Sequence, residues 1–130
     1  MNASFVGNSL LQAPCPAAMK AYQSDITGHL DLFVGNHEEE FEGETEKWQT
    51  ILIHGDPEGL RSFAQLLLRL ADTAQEALPA LPLGAREHVS LRPDLDLSHS
   101  SVEVVVGRLD AKGTGAFYDR YVAKKRLRKR

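Results

Sequence analysis

The stretch most unusual for its chemistry is an acidic run between His37 and Trp48, HEEEFEGETEKW. It contains six glutamates with no basic neighbour before Lys47: Glu38, Glu39, Glu40, Glu42, Glu44 and Glu46. Such an array of carboxylates imitates a polyanion and suits the basic groove of a nuclease, with fast and salt-sensitive association. The alternative is a solvated loop, or a charged strand edge that discourages strand pairing.

Trp48 stands directly beside this acidic run. Tryptophan is enriched among the few residues that carry most of the binding energy of an interface, so Trp48 could anchor a partner. The alternative is that Trp48 packs inside the chain, against residues 1–18. The sequence leaves both interpretations open.

A basic tail follows at residues 124–130, KKRLRKR, with six cationic side chains: Lys124, Lys125, Arg126, Arg128, Lys129 and Arg130. Its charge suits nucleic acid bound without sequence preference, anionic lipid, or the acidic surface of a protein partner. It could also fold back onto the glutamates. The aromatic residues that would stack on bases all precede the tail, which makes nucleic acid the weaker prediction.

Groups that could catalyse a reaction are scattered. His54 and Asp56 have the spacing of a general-base pair, but Asp56 is better explained as a helix cap. Cys15 lies between two prolines, without a neighbour that would lower its pKa. The five histidines lack metal-ligand spacing: His29, His37, His54, His88 and His99. We therefore predict no catalytic residue, no metal and no cofactor.

The elements that position these groups are organised around residues 50–75. Residues 51–53 are a short apolar run ended by His-Gly-Asp-Pro, which predicts a buried strand. Asp56 can accept hydrogen bonds from free amides of the first helical turn and Pro57 has a suitable φ, so a helix is predicted to begin at Pro57. Its core face is predicted from apolar residues at helical spacing: Leu60, Phe63, Leu67, Leu70 and Ala71.

Three further strands and a terminal helix complete the prediction. Residues 26–34 alternate weakly and lead to a turn at Gly35-Asn36, while residues 86–91 and 101–109 are typical of strands. Residues 116–130 predict a short C-terminal helix. The order β-β-α-β-β favours an α+β fold: one mostly antiparallel four-stranded sheet with the main helix on one face.

The acidic run would have a defined geometry if the second strand already passed through it. Glu40, Glu42, Glu44 and Glu46 would then form one row that continues to Trp48. Phe41, Ile51 and Ile53 would share the opposite face, covered by the helix.

Bulk properties indicate one domain at residues 19–123, preceded by a loosely ordered segment at residues 1–18 and followed by the basic tail at residues 124–130. The net charge of −3 conceals an asymmetry, because the chain before the tail has nine basic and eighteen acidic residues. A single cysteine, no basic signal region and no apolar run of membrane length predict a cytoplasmic protein without a membrane partner. The oligomeric state stays open.

Two motifs point to a family. GDPEGL at residues 55–60, running into an apolar helix at residues 63–71, and VVVGRLD at residues 104–110 resemble the immunity protein 32 family of bacterial polymorphic toxin systems. The resemblance covers about residues 48–110. It implies a small α+β protein that binds and neutralises a toxin made by the same cell or its kin, and it marks no binding surface.

The sequence thus supports two hypotheses. The first is a non-catalytic immunity protein that binds a toxin and blocks its active surface, with a nuclease as one candidate toxin. Its toxin-binding residues would be Glu38, Glu39, Glu40, Glu42, Glu44, Glu46 and Trp48. The second is a small nucleic-acid-associated regulator that uses the basic tail.

Overall fold

The computed structural model describes residues 22–125. The element order is β1 (Leu30–Phe41), β2 (Glu44–Gly55), α1 (Pro57–Asp72), β3 (His88–Leu91) and β4 (Val104–Gly107). A 3₁₀ turn at Gln75–Ala77 follows α1. The α+β class, the order β-β-α-β-β and the antiparallel pairing are confirmed.

The first two strands form a long antiparallel hairpin whose register joins Leu30 to Gly55 and Phe41 to Glu44. The turn consists of Glu42 (φ 51°) and Gly43 (φ 80°). Two successive positive φ angles are typical of the tight turn that matches strand twist. The turn predicted at Gly35-Asn36 is wrong, because both residues lie inside β1 and the strand continues through the acidic run.

Helix α1 begins as the sequence predicts. Asp56 caps it by accepting a hydrogen bond from the Gly59 amide (2.7 Å), and Pro57 opens the first turn. The predicted core face is partly wrong: Leu70 is buried and Phe63 is half-buried, but Leu60 and Leu67 are exposed. The buried side of α1 is instead formed by Gly59, Ser62, Leu66 and Leu70.

The core lies where α1 meets the start of β1 and the β3–β4 hairpin. Its buried apolar members lie in β1, α1 and β3, in the segment before β1 and in the connection between β3 and β4: Ile26, Leu30, Leu32, Leu66, Leu91 and Leu97. Burial of each large side chain contributes about 1.5 to 3 kcal/mol. The rest of the β1–β2 hairpin extends beyond this core, and Ile51 and Ile53 are exposed where the sequence predicts helix cover.

The single four-stranded sheet is wrong, because residues 22–125 contain two separate two-stranded sheets. The edge of β1 that does not pair with β2 is occupied by an irregular segment. Its Ser98 and Val102 amides donate to the carbonyls of Leu30 (2.9 Å) and Leu32 (2.8 Å), and buried Ser101 also bonds to Leu32. This segment satisfies the backbone of β1 without forming a strand.

The predicted C-terminal helix is also wrong over its described part, residues 116–125, which are not helical. Arg86 holds this segment instead. Its guanidinium donates to the carbonyl of Ala116 (2.7 Å) and lies 3.9 Å from the ring centroid of Tyr118. These contacts fix an irregular path. The N-terminal segment at residues 1–18 and the tail beyond residue 125 lie outside the described residues.

Candidate functional site

The acidic residues lie at the free end of the β1–β2 hairpin, residues 38–48, which we name the acidic tip. The register places opposite residues on the same face of the hairpin. One face carries Glu38 and Glu40 of β1, paired with Lys47 and Thr45 of β2. The second face carries Glu39, Glu44, Glu46 and Trp48, together with Phe41.

The single row from Glu40 to Trp48 is therefore wrong in part. Glu44, Glu46 and Trp48 do share one face of β2, but Glu40 belongs to the other strand and the other face, and Glu42 occupies the turn. Phe41 lies opposite Glu44 instead of beside Ile51. The alternation of glutamates with other residues misled the prediction because it continues unbroken across a two-residue turn.

The charges of the acidic tip are poorly compensated within the described chain. Lys47 contacts Glu38 at 3.6 Å, and both side chains are well exposed. Glu39 and Glu46 are direct cross-strand partners, an arrangement of like charges that destabilises a hairpin. The acidic tip therefore concentrates negative potential at the end of a projecting element, at a cost to the stability of that element.

Trp48 is held in position on the second face. Its ring stacks on the His37 ring with a centroid distance of 5.2 Å and an interplanar angle of 17°. His37 in turn bonds through Nε2 to Oγ1 of Thr50 (2.8 Å). Because 43% of Trp48 is exposed, the ring offers surface in a fixed orientation and does not lie inside the core.

An open hollow of about 470 Å³ lies beside Trp48. Its lining comes from both strands: Asn36, His37, Glu38, Lys47, Trp48 and Gln49. The amide of Gln49 donates to Oδ1 of Asn36 (2.9 Å), which joins the two strands across this hollow. Sequence reasoning missed His37, whose role becomes visible only when the turn at Glu42-Gly43 fixes the register.

The first family motif supports the start of α1. Oδ1 of Asp56 accepts hydrogen bonds from the amides of Gly59 and His29 (3.1 Å), and these bonds lower the pKa of Asp56. Buried Gly59 lies so close to His29, the residue before β1, that an added Cβ would collide with the carbonyl oxygen of His29. Asp56 is therefore occupied as a cap, which supports a structural role for the His54-Asp56 pair.

The second family motif supports the end of the same helix. Nη1 of Arg108 donates to the carbonyls of Leu70 (3.1 Å) and Thr73 (2.8 Å), where α1 leaves carbonyls without helical partners. Its other nitrogens bind both carboxylate oxygens of Asp110. This pairing lowers the pKa of Asp110 and raises that of Arg108. The two motifs thus hold α1 at both of its ends.

One cluster combines an aspartate with two serines outside the acidic tip. Asp31 accepts hydrogen bonds from Ser100 (2.5 Å) and Ser98, which lower the pKa of Asp31. His54 is the cross-strand partner of Asp31. Each serine hydroxyl donates directly to the carboxylate, so no imidazole stands between nucleophile and acid. The cluster is explained as a clamp of the 98–102 segment on β1.

The remaining predictions concern metal binding, membrane spanning, the basic tail and Cys15. Residues 22–125 contain no group of three or more His, Cys, Asp or Glu side chains placed to hold a metal ion. Among the same residues, α1 is too short and too polar to cross a membrane. Lys124 and Lys125 are exposed, whereas the other four cations of the tail and Cys15 lie outside the described part.

Comparison with known protein families gives a match. Residues 50–109 match the family model described as immunity protein 32, a little under half of the chain. No curated protein and no solved structure matches. The matched segment contains the second half of β2, all of α1, the whole first motif and the second motif except Asp110, while the acidic tip precedes it. The resemblance is confirmed: residues 50–109 of this chain are similar to the immunity protein 32 family.

Proposed function

We propose that this chain is an immunity protein that binds a cognate bacterial toxin in the cytoplasm and blocks its active surface, without catalysing a reaction. The observation that carries the proposal is the family match over residues 50–109. The described residues add support, because Asp31, Asp56 and Asp110 are engaged in a cap and in clamps that stabilise the fold.

The acidic tip is the proposed contact surface. It projects beyond the core, it carries six glutamates against one lysine, and it presents Trp48 in a fixed, partly exposed orientation. A rigid aromatic side chain beside charges suits the centre of an interface, because little conformational entropy is lost on binding. The like-charge pair of Glu39 and Glu46 supports a role in binding, since it costs the hairpin stability.

The charge of the acidic tip favours a toxin with a basic active groove, of which a nuclease is the best example. Carboxylates on both faces of a projecting hairpin can enter such a groove in place of nucleic-acid phosphates. Association should then be fast at low salt and slower at high salt, because a Debye length near 8 Å at physiological ionic strength screens exposed charges.

The direct test is co-expression with each protein encoded next to this chain's gene, scored for rescue of growth and for complex formation by pull-down. We expect one neighbour to be toxic alone, and harmless and bound when this chain is present. If no neighbouring product is toxic or bound, the proposal fails.

The contact surface is tested separately with charge-matched variants. Glu44→Lys combined with Glu46→Lys should weaken toxin binding without unfolding the domain. The control combines Asp72→Lys with Glu103→Lys, two exposed acidic positions outside the hairpin that change the net charge equally. Equal loss in both variants would show that net charge, and not the acidic tip, governs binding.

A further inference from the structure

The outer edge of β2 has no strand partner in the described part of the chain. Within residues 22–125, β2 pairs with β1 alone, over twelve residues. A long strand edge leaves a row of backbone donors and acceptors available for pairing with another chain. Charged side chains protect the half of this edge near the turn, where Glu44, Glu46 and Lys47 lie. The half near α1 has no such protection: its sequence is Thr-Ile-Leu-Ile.

Beside the unprotected half lies an exposed apolar surface, which we name the apolar patch: Ile51, Ile53, Leu60, Leu67 and Leu68. The two isoleucines point to the same side of β2, and the three leucines lie on one side of α1. The strand and the helix side meet at Gly55, where an added Cβ would lie 3.2 Å from Cγ of Leu60. Exposure of these five side chains ranges from 39% at Leu67 to 69% at Ile51.

The size of the apolar patch agrees with an interface. Its side chains expose about 500 Å² of apolar surface, the size of the largest patch on a typical monomer, which is often functional. Complete burial of two such patches would remove about 1,000 Å² from solvent, the lower limit for a specific interface, before the strand edges are counted.

We propose that this surface joins two copies of the chain into a symmetric dimer, in which the β2 strands pair antiparallel and the apolar patches face each other. Antiparallel pairing of one strand with its own copy is the simplest two-fold interface, because each residue contacts its counterpart reciprocally. The result is one continuous sheet of four strands, in the order β1-β2-β2-β1, with both α1 helices on one face.

The charges select the register. Centring the two-fold axis on Leu52 places Ile51 opposite Ile53 of the second copy, so β-branched residues pair across the new edge. The two Glu46 side chains then lie about 40 Å apart by strand geometry, well beyond the range of charge repulsion in physiological salt. Registers centred closer to the turn bring the two Glu46 side chains closer together: centring on Gln49 places Lys47 opposite Ile51, and centring on Glu46 places the two Glu46 side chains opposite each other. The Leu52 register also leaves both acidic tips free, pointing in opposite directions.

The oligomeric state of the full chain tests the proposal. Sedimentation equilibrium should be measured over a series of protein concentrations that reaches the high micromolar range. At its upper end the mass should be about twice the 14.4 kDa of one chain. Ile51→Lys should give a folded monomer whose thermal midpoint equals that of the wild type at concentrations where the wild type is monomeric, because this side chain is largely exposed. Val105→Lys is the matched control, an exposed apolar strand position (62%) in the other sheet, and it should remain dimeric.

Other occupants of the apolar patch would overturn the proposal in distinguishable ways. A monomeric wild type that dimerises when residues 1–21 are deleted would assign the patch to that segment. A monomeric wild type whose β2 amides gain hydrogen-exchange protection only when a toxin binds would assign it to the toxin. A dimer unaffected by Ile51→Lys would place the interface elsewhere.

A disulfide tests the register directly. In a Cys15→Ser background, Leu52→Cys should form an intermolecular disulfide on mild oxidation, because directly opposed residues of antiparallel strands have Cα atoms about 4.5 to 5.5 Å apart. Gln49→Cys is the control, since the proposed register separates its two copies by about 20 Å. Cross-linking at position 49 and not at position 52 would refute the arrangement.

Discussion

At the scale of single residues, the structure explains the family motifs as supports of one helix. Asp56 and Gly59 fix the start of α1 against His29, and Arg108 holds its end. The cap at Asp56 could be predicted from the sequence because a cap acts over three residues. Gly59 and Arg108 could not, because their contacts are with residues 30 and 35 or more positions away.

Gly59→Ala should destabilise the protein. Helix propensity alone predicts the opposite, a gain of about 1 kcal/mol. The added Cβ would collide with the carbonyl of His29, and such overpacking costs about 1 to 3 kcal/mol. Urea unfolding measures the difference in the free energy of unfolding between the variant and the wild type. Greater stability in the variant would show that α1 does not need this close approach.

Arg108→Ala should lower the free energy of unfolding by about 2 kcal/mol, because charged hydrogen bonds to the last carbonyls of α1 and to Asp110 are lost. Arg69→Ala is the control. Arg69 forms an exposed salt bridge with Asp25 at 3.0 Å, a type worth less than about 1 kcal/mol. Equal losses in the two variants, measured by chemical denaturation, would contradict a specific role for Arg108.

At the scale of elements, the order of strands and helix could be predicted, but the length of the first hairpin could not. Runs of glutamate are poor strand formers, so the sequence suggests a loop where β1 continues to Phe41. The pairing of Glu39 with Glu46 follows from a turn at Glu42-Gly43, a signal weaker than Asn-Gly or Asp-Gly. The turn at Glu42-Gly43 therefore sets the extent of the candidate site, and the sequence analysis does not predict this turn.

Glu46→Gln should separate stability from binding. Removing the repulsion with Glu39 should raise the free energy of unfolding by about 0.2 to 1 kcal/mol, while toxin affinity falls because one carboxylate of the acidic tip is lost. Glu38→Gln is the control: it loses the contact with Lys47 and should not gain stability. Parallel changes of stability and affinity in Glu46→Gln would contradict the trade-off.

At the scale of the whole molecule, four aspartates connect distant segments, and each has a lowered pKa. Hydrogen bonds from Ser100, from the His29 amide and from Arg108 are the main causes for Asp31, Asp56 and Asp110, respectively. Burial works to raise the pKa of Asp96, but hydrogen bonds from Ser24, Tyr22 and the Arg92 amide together lower it. Folding therefore depends on several ionised carboxylates.

These lowered pKa values predict sensitivity to acid. The folded state binds protons more weakly than the unfolded state, so the stabilisation is complete above about pH 4 and is lost as pH falls through the lowered values. Thermal midpoints measured between pH 7 and pH 2 should decrease mainly below pH 4. Asp96→Asn should weaken this dependence. A wild-type midpoint that is constant down to pH 2 would contradict the role of these carboxylates.

The central claim is that this chain neutralises a toxin through the acidic tip. The most direct measurement is growth during co-expression with the toxic product of a neighbouring gene, comparing wild type, Glu44→Lys with Glu46→Lys, and the control Asp72→Lys with Glu103→Lys. We predict rescue by the wild type and the control and loss of rescue by the variant of the acidic tip. Full rescue by that variant would place the toxin contact elsewhere, and no rescue by the wild type would contradict the immunity function.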